Sequence, residues 1–147
     1  RKLSDATLGI VAELSANINS SNGAFYLAAP GGNVSANAQF VNRGTLQAGP
    51  AASGLASPVS AVIASAGDIA GDSAKIRVNS GSYSTLAFDF GTGNFGNYPL
   101  YLFRRGGSSL PFNGWFYGLA ITGRLTTDAE TVATERFLAA KSAVVIP

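Results

Sequence analysis

Apolar side chains recur at every second position through most of this chain, in short runs closed by glycine, asparagine, serine and proline. A period of two puts alternate side chains on opposite faces of an extended strand, whereas an amphipathic helix repeats every 3.6 residues. "GIVAELS" sets Ile10, Ala12 and Leu14 against Val11, Glu13 and Ser15, and "AFYLAA" sets Phe25 and Leu27 against Tyr26. "AKIRVNSG" turns Ile76 and Val78 inward and Lys75, Arg77 and Asn79 outward, then reverses at Asn79-Ser80-Gly81. "STLAFDF" aligns Leu86, Phe88 and Phe90. "AQFVNRG", "SPVSAVIASAG", "YPLYLFRR" and residues 115–122 supply further strands, separated by turn clusters such as "NSSNG", "AGPAASG" and "GTGNFGN". Many short strands at this spacing predict an all-β antiparallel sandwich or jelly roll.

One helix breaks the pattern, in "TTDAETVATERFLAAK". Thr127 with Glu130 three residues later spells a capping box, Asp128 suits the positive end of the helix dipole, and Lys141 suits the negative end. Ala129, Val132, Ala133, Phe137 and Ala140 form the stripe expected to lie on the sheets. The tail "AVVIP" is expected to return as an edge strand.

With 147 residues the chain fits one domain, 1–147, able to bury about 70% of its unfolded surface without a metal or disulfide staple. The absence of cysteine and histidine removes thiolate chemistry, the Ser-His-Asp triad and ordinary zinc sites. Only 12% of residues are charged and the net charge is +2, too dilute for a nucleic-acid face, and the local basic cluster at Arg104-Arg105 is weak. No apolar run approaches the roughly 18 residues of a membrane span. A chain that opens at Arg1 and holds no methionine is expected to be part of a longer chain or a processed form.

The glycine-rich stretches do not read as nucleotide loops. "RRGGSSLPFNG" lacks the lysine and the following helix of a phosphate loop, and "GTGNFG" runs into a strand through "NYPLYLFRR". "GDIAGD" offers Asp68 and Asp72 as calcium ligands, but an EF-hand loop starting at Asp68 would meet Ala70, Ser73 and Asn79 where it needs an oxygen ligand, glycine and glutamate. A structural turn with no cofactor is the expectation, and a looser calcium site sharing ligands from another loop is the alternative. A retaining glycosidase needs two carboxylates roughly 5 Å apart. The glutamates are Glu13, Glu130 and Glu135, the last two five apart on the helix and facing different ways, so no catalytic residue is assigned. Asn19 and Asn33 open N-x-S triplets, of the kind chance produces in a chain rich in both residues.

The last fifty residues, "YPLYLFRRGGSSLPFNGWFYGLAITGRLTTDAETVATERFLAAK", resemble the C-terminal part of concanavalin A-like, laminin-G-like jelly-roll domains, in which an arginine-ending strand leads to Phe-x-Gly, an apolar strand, Leu-Ser/Thr and a short capped helix. "RKLSDATLGIVAELS", "NGAFYLAAPGG", "IRVNSG" and "GTGNFGNYPLYLFRR" are similar to a subgroup common in tailed phages and prophages. The departures are Phe103-Arg104 where the family has Gly-Arg, and strands that normally precede the position of "RKLSD". The resemblance implies a jelly roll with one C-terminal helix, but it spans lectins, adhesion modules, hydrolases and structural units. Its apolar pattern turns Phe116, Leu119 and Ile121 inward around a bulge at Gly118 and leaves Trp115 outward.

An outward Trp115 suits a sugar ring, a subunit contact or the underside of a neighbouring loop. The expected function is a non-enzymatic, lectin-like adhesion or decoration module on a virus particle, outside the cell. Asn94, Asn97, Tyr98, Arg105, Asn113 and Trp115 are the candidate contacts. The expected partners are cell-surface glycan or other virion subunits, as part of a larger chain or a homo-oligomer, with no nucleic acid or membrane. The rivals are a purely structural virion protein and a carbohydrate-active enzyme domain.

Overall fold

The computed structural model describes residues 1–3, 8–17, 20–30, 37–48, 50–106 and 108–147, so Asn19, Asn33 and Gly107 lie outside the described residues. Strands β1 (Gly9–Leu14), β2 (Ala24–Ala29), β3 (Asn37–Arg43), β4 (Ala51–Gly54) and β8 (Leu100–Leu102) form one antiparallel sheet in the order β4-β3-β2-β1-β8. Strands β5 (Ile63–Asp68), β6 (Ser73–Val78) and β7 (Ser84–Ala87) form a second, in the order β5-β6-β7. Helix α1 (Asp128–Ser142) follows near the C-terminus. No helix among the described residues is long and apolar enough to cross a membrane.

The alternation of "AFYLAA" does what its period demands. Phe25 and Leu27 pack between the sheets, while Tyr26 lies on the opposite face. Leu27, Ala38, Phe40 and Ala51 of the first sheet meet Ala74 and Ile76 of the second, with Ile69 and Phe90 closing the layer. Phe90 is fully buried and contacts Phe88 edge-on at 5.4 Å. In β1 a bulge between Ile10 and Ala12 pairs Ile10 with Ala28 and Ala12 with Leu27, so the two residues expected to share a face do not. At the end of β6, Asn79 and Ser80 both take positive φ, 50° and 58°, and Gly81 N–H bonds to Val78 O at 3.0 Å, closing the expected turn.

Helix α1 starts as its sequence dictates, with Thr127 and Glu130 exchanging the two bonds of a capping box. Its docking face differs from the expected stripe. Glu135 and Ala139 are buried, flanked by half-buried Thr131, Val132, Leu138 and Ser142, while Ala129, Ala133, Phe137 and Ala140 are exposed. The reason is electrostatic. Arg77, pointing out of the second sheet, holds Glu135 through Nε–Oε1 at 2.9 Å and Nη2–Oε2 at 2.7 Å, and Ser80 Oγ donates to the same carboxylate at 2.7 Å. A bidentate pair fixes the helix rotation, and Phe137 is left with its ring beneath Lys141 Nζ at 4.7 Å.

Two expected strands are absent among the described residues. The "AVVIP" tail forms no ladder after the left-handed cap at Ala143. Residues 115–122 form no ladder either, and Phe116, Leu119 and Ile121 are 41%, 38% and 52% exposed instead of filling the core. The segment stands off from β5, whose only strand partner among the described residues is β6, so its side chains line a cleft instead of a closed layer.

Candidate functional site

Trp115 is positioned by backbone. Its N–H donates to Arg1 O at 2.7 Å, the Arg1 α-amino group donates to Trp115 O, and Leu3 N–H donates to Asn113 O at 3.0 Å. Gly114 lies so close to Arg1 O and the Phe112 ring that a side chain there would collide. Phe116 packs edge-on against Phe103 at 4.8 Å, which leaves Trp115 as the rim residue, 62% exposed, with Tyr117 45% exposed and Asn113 open to solvent. A cavity of about 130 Å³ opens beside the three aromatics, bordered by Lys2, Val59 and Phe112.

Arg105 is committed elsewhere. Its Nε lies 3.4 Å from Glu13 Oε2 and its guanidinium sits 4.8 Å above the Tyr26 ring. Glu13 is 1% exposed, so the arginine neutralises a carboxylate that would otherwise be stranded, and Ser15 Oγ donates to the other oxygen at 2.6 Å. Arg105, expected as a ligand contact, thus also has a structural role as the counter-charge of Glu13.

Asn94, Asn97 and Tyr98 sit on a loop pressed against the β1–β2 turn. Gly96 N–H bonds to Gly23 O at 2.9 Å, Tyr98 Oη donates to Asn22 O at 2.9 Å, and Phe95 meets Phe25 edge-on at 5.6 Å. Gly23, at φ 76°, permits the approach, since a side chain there would strike the 94–96 backbone. This loop lies at the Leu14 end of β1, where Leu14 pairs with Phe25, whereas Phe112 and Pro111 touch Gly9 at the other end. Five residue steps of strand, about 17 Å, separate the ends. The candidate contacts divide into a Trp115–Asn113 rim, an opposite Asn94–Asn97–Tyr98 rim, and Arg105 beside Glu13 and Tyr26.

The acidic groups are taken up by their surroundings. Asp68 Oδ1 accepts from Gly71 N–H at 2.9 Å within the β5–β6 turn, and Asp72 Oδ1 accepts from Phe90 N–H at 3.0 Å, tying that turn to the segment after β7. Among the described residues no cluster of acidic groups could hold a metal ion. Each glutamate has an arginine: Glu13 with Arg105, Glu130 with Arg124 and Glu135 with Arg77. Arg77 keeps its charge despite burial because the bonds to Glu135 outweigh the lost hydration, and burial lifts the Tyr83 phenol above its ordinary 10.0 against the pull of Arg77.

A second, larger concavity, about 730 Å³, was not foreseen from the sequence. Phe25, Leu27 and Phe40 form its floor, β5 one wall and residues 119–126 the other, with Thr131, Glu135 and Leu138 of α1 above. The cleft is open to solvent and lined largely by apolar side chains. The signal for it was the alternation of residues 115–122, apolar enough to demand a partner.

The architecture defines a two-sheet β domain with an aromatic rim. Comparison of the chain with family models, with curated proteins and with solved structures finds no match.

Proposed function

We propose that this chain is a non-enzymatic recognition module, a concanavalin A-like jelly roll displayed on a virus particle, that binds host-surface carbohydrate through the rim around Trp115. One observation carries the reading: Trp115 is 62% exposed while its backbone is bonded on both sides to Arg1. An indole held by its backbone presents a flat apolar platform at low entropic cost, which suits stacking on a sugar ring, and Asn113 and Tyr117 supply hydrogen-bonding groups beside it. The arginine partners of Glu13, Glu130 and Glu135 favour recognition over hydrolysis, because a catalytic carboxylate pair must be free to take up and release protons. Asn94, Asn97 and Tyr98 form a second, separate rim.

A structural virion subunit is the competing reading, favoured by exposed Phe116, Leu119, Ile121, Leu125 and Phe137, apolar surface of the kind that subunit contacts cover. A glycan array probed with the chain and with Trp115→Ala separates the two. Binding that the substitution abolishes supports the proposal. Binding that survives it removes Trp115 from the site, and failure to bind any glycan, with stoichiometric co-purification on particles, supports the structural reading.

A further inference from the structure

We propose that the groove between β5 and residues 115–126 is a strand-acceptor site, completed by an extended segment of about eight residues running in line with Arg1 and hydrogen-bonded to both walls. The start of that strand is already in place. Lys2 exchanges two backbone bonds with Val59, at 2.8 and 3.0 Å, on one side, while Arg1 and Trp115 exchange two on the other. Both pairings are antiparallel. Residues 1–3 are thus the end of a central strand flanked on both sides, and its line continues backward from Arg1 into the groove.

The walls are in phase to receive it. Val62 spends its N–H and C=O on Asn79, both at 2.8 Å, so alternation turns the backbone groups of Ile63, Ser65 and Gly67 toward the groove. These continue the phase set by Val59. Across the groove, no backbone hydrogen bond among the described residues ties residues 116–126 to a neighbouring strand. The small cavity and the large cleft are successive stretches of one channel: Arg1, Lys2, Ile63 and Trp115 border the first, Ser65, Gly67, Leu119 and Ile121 the second.

The channel also dictates the occupant's chemistry. Extending the Lys2–Val59 register places the residue just before Arg1 opposite Ala61, the third opposite Ile63, the fifth opposite Ser65 and the seventh opposite Gly67. Ile63 packs on the core, so these positions face Leu27, Phe25 and Phe40 and must be apolar. The intervening positions face Thr131, Leu138 and Ser142 of α1, which suit small or hydroxyl side chains.

The test compares three chains by amide hydrogen exchange and thermal melting. One is the chain as it stands. The second carries Thr-Val-Thr-Val-Thr-Val-Thr-Val ahead of Arg1, and the third carries the same residues with the two types exchanged, which turns threonine to the floor. In the unextended chain the Ser65 and Gly67 amides should exchange freely. The in-phase extension should slow both by about 100-fold or more and raise Tm, and the out-of-phase extension should do neither. Equal effects of the two extensions, or none from either, would overturn the proposal. So would protection of Ser65, Gly67 and Leu119 in the unextended chain, which would mean that residues 116–122 close the groove themselves.

Discussion

The guanidinium of Arg77 and the carboxylate of Glu135 form a two-point clasp, 2.9 and 2.7 Å, between β6 and α1, with both side chains almost fully buried. Because a buried ion deprived of its partner keeps its desolvation cost, Glu135→Ala or Arg77→Ala should each destabilise the domain by about 3–5 kcal/mol. The double substitution should cost less than the sum, since it leaves neither charge stranded. Denaturant unfolding of the four proteins in the cycle measures both statements.

Arg105 should behave as a structural residue. Arg105→Ala uncovers buried Glu13 and should lower stability by about 2–3 kcal/mol. Arg105→Gln should recover part of the loss by donating to the carboxylate, as urea midpoints will report.

The helix start carries a pH signature. Glu130 is pulled down to about 2 by the bonds from Arg124 Nη and then by the Thr127 N–H. A depressed carboxylate stabilises the fold above its ordinary value of 4.5, and that contribution is lost as pH falls through about 2. The residue is exposed, so the effect is small and salt-sensitive. Glu130→Gln should flatten the loss of helical circular dichroism between those pH values, and Thr127→Ala should cost about 1 kcal/mol at any pH.

Phe90→Ala should be among the most damaging single changes in the domain. The ring is fully buried where the two sheets and the Ile69 turn meet, so about 3–5 kcal/mol should be lost. Trp115→Ala, at a rim position, should shift the thermal midpoint little.

How far the sequence foretold this molecule follows from where each signal is local. The alternation of Phe25 and Leu27, the Asn79-Ser80 turn and the Thr127–Glu130 box depend on neighbours a few residues away, and all three appear as expected. The helix face did not, because Arg77 lies 58 positions from Glu135 and an apolar stripe was the only local clue. For the same reason Arg105 looked free until the sheet brought it to Glu13, 92 positions away in the chain. Residues 115–122 carry strand periodicity, but no strand pairs with them among the described residues and Phe116, Leu119 and Ile121 are exposed, so the expected strand and its inward face are not found. Trp115 is exposed as expected, but so are Phe116, Leu119 and Ile121, whose inward turn was the ground for that expectation, and its separation from Asn94 and Tyr98 depends on which end of β1 each loop meets.

Trp115 is the only tryptophan, so its fluorescence reports on the proposed recognition face without interference. In the free protein the emission should be that of a water-exposed indole and should be quenched readily by acrylamide. Titration with a glycan that the array identifies should move the emission to shorter wavelength and protect it from quenching, saturating with the binding isotherm. Glycan binding that leaves both emission and quenching unchanged would contradict the account.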